Sequence, residues 1–144
     1  MEKQPGAAPR VATALRQARI PYAIVGGCAV AVWVASVDKT AVHGTDDVDL
    51  LVRRADFQRA REALQTVGFS YRNAGSVGVF LPVREDSRHG AVHVLYAMES
   101  VDVLCPIQTP DVTESAAGPD FRIATLDALV RLNLTAFRLK DKLQ

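Results

Sequence analysis

The sequence has little excess charge and few cysteines, and each of these shortages argues against a class of protein. Its 144 residues include 17 basic and 16 acidic side chains, for a formal net charge of +1. The composition therefore predicts no extended basic surface for nucleic acid or an anionic membrane. The two cysteines, Cys28 and Cys105, lie far apart and outside any metal-ligand spacing. This usage argues against a disulfide scaffold and favours a reducing cytoplasm.

The chain also lacks a long apolar run. Its longest uncharged stretch, Ile20 to Val37, is interrupted by Pro21 and by the Gly26-Gly27 pair. A membrane helix needs about 20 continuous apolar residues, so the stretch predicts a buried strand followed by a buried helix. The first ten residues, MEKQPGAAPR, lack the apolar core of a signal peptide. No membrane partner and a cytoplasmic location are expected.

The pattern of apolar residues predicts a single domain over residues 1–144, a length that suits one hydrophobic core. Helices are expected over 9–19, 28–36, 55–69 and 125–140, strands over 22–25, 47–52, 77–83, 91–97 and 101–105, and a loop over 106–120. This order predicts an α/β (α+β) fold, with helices packed against a mixed β-sheet.

Two glycines, Gly26 and Gly27, lie between the first predicted strand and the helix that follows it. Free N–H groups at a helix N terminus can bind phosphate, but glycines also allow close packing of a helix on a strand. The sequence GGCAVA does not match the G-x-G-x-x-G spacing, so a Rossmann cofactor domain is not favoured. For Cys28 the pattern favours a small packed residue over a reactive thiol.

Three aspartates, Asp46, Asp47 and Asp49, stand in the stretch HGTDDVDLLV at residues 43–52. In a strand, Asp47 and Asp49 would share one face with their Cα atoms roughly 6.5–7 Å apart. Two such carboxylates repel each other unless a cation lies between them, and oxygen ligands suit Mg²⁺ or Mn²⁺. The alternative is an exposed strand edge with acidic side chains. We favour that alternative for Asp46 and metal binding for the other two.

Together, the glycine turn and the acidic strand resemble the nucleotidyltransferase superfamily in its minimal form. The stretch IVGGCAVAVWV…TDDVDLLV fits its pattern of a hydrophobic-Gly-Gly turn followed by Asp-x-Asp on the next strand. The stretch LDALVRLNLTAFRLKDK is similar to the C-terminal helix of bacterial AbiEii-type nucleotidyltransferase-like proteins. The resemblance covers roughly residues 20–142. It implies a nucleotidyltransferase-like sheet and transfer of a nucleoside monophosphate from an NTP, with metal held by three carboxylates.

The resemblance also implies a set of site residues. Asp47 and Asp49 would be catalytic metal ligands, and the third ligand or general base would be Asp102 or, less conventionally, His93. With His93 in that place, Mg²⁺ would bind more weakly, which favours a softer metal or indicates lost catalysis. The phosphate contacts implied for the nucleotide are from Gly26, Gly27, Thr45 and Lys140.

Two positions depart from the family pattern, since relatives often carry a basic residue where this chain has His43 and Asn133. Neither replacement supplies a fixed charge at neutral pH. The sequence therefore leaves two functions open. One is an enzyme whose acceptor is a protein, a tRNA end or a small molecule, and the other is a degenerate binding module with a toxin or antitoxin partner. The sequence ends at Gln144, where relatives usually continue, which predicts a C-terminally truncated or short member.

Overall fold

The computed structural model describes residues 6–38, 47–74, 77–83, 90–102 and 105–133, in which helices pack against a mixed β-sheet. The helices are α1 (Ala7–Gln17), α2 (Gly26–Val37), α3 (Phe57–Gln65) and α4, described over 126–133. The strands are β1 (Ala23–Val25), β2 (Val48–Val52), β3 (Phe69–Ala74), β4 (Val77–Pro82), β5 (Val92–Tyr96), β6 (Ser100–Asp102), β7 (Cys105–Gln108), β8 (Ser115–Ala117) and β9 (Arg122–Ala124). The predicted α+β fold with a mixed sheet is confirmed.

Seven of these strands form one sheet in the order β3-β4-β5-β2-β1-β9-β8. Strand β2 runs antiparallel to β1 and parallel to β5, while β1 runs parallel to β9. The start of β2, the start of β5 and the end of β1 therefore lie at the same end of the sheet, which we call the Asp49 end. The starts of β1 and β9 lie at the other end.

Strand β2 is the centre of the hydrophobic core. Its residues Val48, Leu50, Leu51 and Val52 are all buried, a continuous apolar run that is typical of a strand covered on both faces. Helix α2 contacts β1 and β2, and helices α1 and α3 contact each other. Because every residue of β2 except Asp49 is buried, the register of this strand is strongly specified.

Several strands were not predicted from the sequence. The segments of β7 and β8 lie mostly or wholly within the predicted loop over 106–120, and the predicted helix over 55–69 ends at Gln65, so that Phe69 begins β3. The three residues of β9 form a strand because they pair with β1 on one side and β8 on the other. Such pairing depends on distant parts of the chain, which local periodicity does not reveal.

The predicted helix at Cys28 begins two residues earlier, at Gly26. Helix α2 is apolar along its whole length, yet Ala29 is the buried residue in it, because the described chain covers only one side of this helix. Within the described ranges, no helix is long and apolar enough to cross a membrane.

The hairpin of β6 and β7 forms a separate two-stranded sheet. Its base is fixed by Thr109, a buried side chain whose Oγ1 donates to the Tyr96 carbonyl at 2.5 Å and accepts from the Glu99 N–H at 3.1 Å. Arg54 donates two hydrogen bonds to the Glu99 carboxylate, from Nε and from Nη2, each at 2.7 Å. The Arg54 guanidinium also lies over the Tyr96 ring. These contacts attach the hairpin that contains Asp102 to the end of β5.

Candidate active site

The glycine turn and the acidic strand meet at the Asp49 end of the sheet. Val25, the last residue of β1, pairs with Asp49 on β2, and helix α2 begins at the next residue. Gly26 has a φ of +67°, and a Cβ atom placed on it would lie 2.9 Å from Cγ of Asp49 and overlap its Oδ2 atom. Glycine therefore meets two requirements here, a left-handed backbone and direct approach of the backbone to a carboxylate.

The Asp49 carboxylate lies in an unfavourable environment for its charge. The side chain is half-buried, and burial raises its pKa above the usual value, an effect that neighbouring His93 opposes and Asp47 increases. No side chain or N–H group among the described residues is seen to donate a hydrogen bond to this carboxylate. A bound cation would stabilise the ionised form of this carboxylate.

His93 lies on β5 in register with Asp49 on β2. Side chains in register on paired strands lie on the same face of a sheet, so the imidazole and the carboxylate are neighbours. Their electrostatic interaction lowers the pKa of Asp49. The structure thus places His93 directly beside Asp49.

Asp47 precedes the strand, because β2 begins at Val48. The strand predicted over 47–52 therefore starts one residue later, while the side chains of Asp47 and Asp49 are close enough to interact electrostatically. That the two side chains share one face stays a prediction. The Cys28 thiol donates to the Asp47 carbonyl at 3.3 Å. This contact attaches the first turn of α2 to the acidic segment, a role that the sequence pattern did not reveal for Cys28.

Most of the remaining predicted site residues lie outside the described side chains. Asp102 is the last residue of β6, on the separate hairpin, where it pairs with Cys105, and its backbone is described while its side chain is not. Asn133 is exposed at the end of the described part of α4. His43, Thr45, Asp46 and Lys140 lie outside the described residues.

The donor set at this end of the sheet fits a hard cation in part. Asp47 and Asp49 supply carboxylate oxygens, the ligands that Mg²⁺ and Mn²⁺ prefer, and the charge of Asp49 is not neutralised by a described donor. In the part of the chain that the structure describes, no three His, Cys, Asp or Glu side chains converge on one point as a metal site would require. The described carboxylates thus form an incomplete ligand set.

The fold is similar to that of solved nucleotidyltransferases. A crystal structure of ANT(2'')-Ia in complex with adenylyl-2''-tobramycin matches with a TM-score of 0.56 and 16% identity over 84% of this chain and 68% of that one. A solution structure of the antibiotic-resistance factor ANT(2'')-Ia matches with a TM-score of 0.54 and 19% identity over 84% of this chain and 64% of that one. A proposed nucleotidyltransferase from Thermotoga maritima matches with a TM-score of 0.58 and 12% identity over 92% of this chain and 84% of that one.

At these identities the likeness shows the fold alone, and the chain has a nucleotidyltransferase-like fold. No protein-family model and no curated protein sequence matches it. The predicted fold class is thus confirmed, whereas the predicted resemblance to AbiEii-type proteins stays a prediction.

Substitution of Gly26 tests the close approach to Asp49. We expect Gly26→Ala to lower the free energy of unfolding by about 2 kcal/mol or more, because a left-handed backbone costs a residue with a Cβ about 1–2 kcal/mol and the methyl group also overlaps a carboxylate. Gly27→Ala is the matched control, since Gly27 is exposed in α2 and has no left-handed φ. It should change stability by less than about 1 kcal/mol. If urea denaturation shows the same loss of unfolding free energy for Gly26→Ala and Gly27→Ala, the close contact of Gly26 with Asp49 is contradicted.

Substitution of Asp49 tests its unfavourable environment. Because the pKa of Asp49 is raised in the folded state, that state binds the proton more tightly than the unfolded chain does. Ionised Asp49 therefore reduces stability as the pH rises above its usual pKa of 3.8. We expect Asp49→Asn to raise the melting temperature at pH 7 and to flatten its decline between about pH 4 and pH 7. Glu62→Gln, an equal charge change on the exposed side of α3, is the control. A lower melting temperature for Asp49→Asn than for the control would contradict this account.

Proposed function

We propose that the chain is a metal-dependent nucleotidyltransferase that transfers a nucleoside monophosphate from an NTP to an acceptor. The observation that supports this most is the contact of the Gly26 backbone with the Asp49 carboxylate, at the end of the sheet where α2 begins. A phosphate group and a cation would meet at this point. The nucleotidyltransferase-like fold supports the same reaction class.

In this proposal the residues of the site have separate roles. Asp47 and Asp49 would bind Mg²⁺ or Mn²⁺, which when bound neutralises phosphate charge and stabilises the charge that develops during phosphoryl transfer. The N–H groups of Gly26 and Gly27, at the positive end of α2, would bind the NTP phosphates. Cys28 positions Asp47 through its hydrogen bond to the Asp47 carbonyl. Thr45 and Lys140 are further proposed phosphate contacts.

The third ligand would be His93 or Asp102. The register of β2 and β5 supports His93, because it places the imidazole next to Asp49. For Asp102 the support is the family resemblance alone, because Thr109 fixes the base of its hairpin to the end of β5, away from the Asp49 end. A third carboxylate favours Mg²⁺, whereas an imidazole favours Mn²⁺ or a softer ion.

We propose that the acceptor is the hydroxyl group of a small molecule rather than a protein or a tRNA end. The near-neutral net charge of the chain, +1, supports a small acceptor over a long nucleic acid. One of the similar structures contains an adenylylated small molecule, adenylyl-2''-tobramycin. That protein is longer than this chain, which spans 68% of it.

A second candidate is a catalytically degenerate binding module that acts with a toxin, antitoxin or other defence protein. The observation that favours it is the imidazole of His93 beside Asp49, where the resemblance implies a carboxylate. In that case the site would bind nucleotide or metal weakly and transfer nothing.

The two candidates are separated by an assay with α-³²P-labelled NTPs. Each of the four NTPs is incubated with Mg²⁺ or Mn²⁺ and pooled hydroxyl acceptors, and label transfer and pyrophosphate release are measured. We expect metal-dependent transfer that Asp47→Ala reduces at least 100-fold, since removal of one charge-stabilising group typically costs about that factor. Glu62→Gln should leave the rate unchanged. Nucleotide binding in a thermal-shift assay without any pyrophosphate release would support the degenerate module and contradict the enzyme.

Variants of His93 and Asp102 then show which of the two is the third metal ligand. If His93 holds that place, His93→Asp should raise the rate with Mg²⁺ relative to Mn²⁺, and Asp102→Asn should have little effect. If Asp102 is the third ligand, Asp102→Asn should abolish transfer. His93→Asp should then reduce the rate of transfer, because it adds an unfavourable negative charge beside Asp49.

A further inference from the structure

A cleft of about 690 Å³ lies at the end of the sheet opposite Asp49. One wall is the end of α1 and the connection that leads from it to β1, and the other is formed by parts of the segment 112–122. Strand β1 runs from this cleft to Gly26, so the two sites are separated by roughly 13 Å along the strand. The cleft is thus distinct from the candidate active site.

The charge of the cleft lining is mainly positive. Arg16, Arg19 and Arg122 line it, against a single acidic side chain, Asp120. Among the described residues, the guanidinium groups of Arg16 and Arg19 have no ion-pair or hydrogen-bond partner. Other arginines are instead paired with carboxylates, namely Arg53, Arg54, Arg59 and Arg131. Two exposed cations at this cleft therefore make no ion pair within the described part of the chain.

The helix dipole explains only part of this arrangement. Basic side chains are favoured near a helix C terminus, which applies to Arg16 and Arg19 at the end of α1. However, the last carbonyls of α1 already accept hydrogen bonds from the N–H groups of residues 18, 19 and 20. The third arginine, Arg122, lies on strand β9, so the dipole of α1 does not explain its position.

Arg122 is held in place by its neighbours. Its Nε donates to the Ser115 hydroxyl at 3.1 Å and its Nη2 donates to the Ser115 carbonyl at 3.0 Å. Its backbone N–H donates to the hydroxyl of Tyr22 at 3.1 Å, and the Tyr22 ring is buried beneath the cleft. One wall of the cleft therefore has a positioned cation, which reduces the entropy that a ligand would have to overcome on binding.

We propose that this cleft binds a small molecule that carries a phosphate group, of about the size of a nucleoside monophosphate. Its volume lies within the range of small-molecule sites, about 300–1,000 Å³. Guanidinium groups bind phosphate oxygens through pairs of charged hydrogen bonds, and two of the three arginines have no competing partner among the described residues. The half-buried ring of Phe121 supplies an aromatic surface beside them. The proposal does not depend on the function proposed for the Asp49 end.

NMR titration of the ¹⁵N-labelled chain with AMP and with inorganic phosphate tests the proposal. EDTA is present, so that metal-dependent binding at the Asp49 end does not occur, and sodium chloride at matched ionic strength is the salt control. We expect saturable shifts of the Arg16 and Arg19 Nε–H signals and of the Gly118 amide. Shifts with AMP alone would assign the site to a nucleotide, and equal shifts with both would assign it to the phosphate group.

Charge-neutral variants complete the test. Arg16→Gln combined with Arg19→Gln should weaken AMP binding at least tenfold, because each lost charged hydrogen bond costs about that factor. Arg72→Gln, at an exposed position on β3, should not weaken it. The proposal is wrong if shifts occur only at Gly26 and Gly27, if they match those of sodium chloride, or if Arg72→Gln weakens binding equally. The wild-type shifts decide the matter by themselves if the double variant fails to fold.

Discussion

The close approach of the Gly26 backbone to the Asp49 carboxylate is the constraint on which the rest of the site depends. It requires a residue without a Cβ atom at the turn between β1 and α2, and it requires the register that pairs Val25 with Asp49. That register is fixed by the buried residues of β2, since a shift by one residue would place Asp49 in the core. The hydrophobic core therefore determines where the carboxylate lies. Core burial also offsets the cost of half-burying the charge of Asp49, as is common where a functional site reduces local stability.

The sequence predicted the central part of this arrangement and missed its surroundings. The meeting of the glycine turn with Asp49 could be predicted because one helix of ordinary length connects two neighbouring strands. For His93 the family resemblance alone gave a place at this site, since the residue pattern cannot reveal the parallel register of β2 and β5, which are separated by α3 and two further strands. The strand starts one residue after the predicted start at Asp47, because strand ends depend on pairing with neighbouring strands. The short strands β8 and β9 were missed because they are stabilised by pairing with β1 and with each other.

The two ends of strand β1 differ in charge. At one end, half-buried Asp49 and neighbouring Asp47 form an acidic site beside the first turn of α2. At the other end, Arg16, Arg19 and Arg122 face an open cleft. The chain is thus nearly neutral overall, but it has two local sites of opposite charge, each suited to a different ligand. The ion pairs of Arg53 with Asp111 and of Arg131 with Glu114 link the segment 111–114 to the end of β2 and to α4.

Divalent-cation binding beside Gly26 is tested most directly by paramagnetic relaxation. Substoichiometric Mn²⁺ is added to the ¹⁵N-labelled chain together with an NTP, and the loss of each amide signal is compared with that in Mg²⁺. The site described above predicts selective loss at Gly26, Gly27, Asp49 and His93, and no selective loss at these positions in Asp49→Asn. Uniform broadening, or signal loss centred on exposed carboxylates elsewhere, such as Glu62 or Asp127, would contradict it.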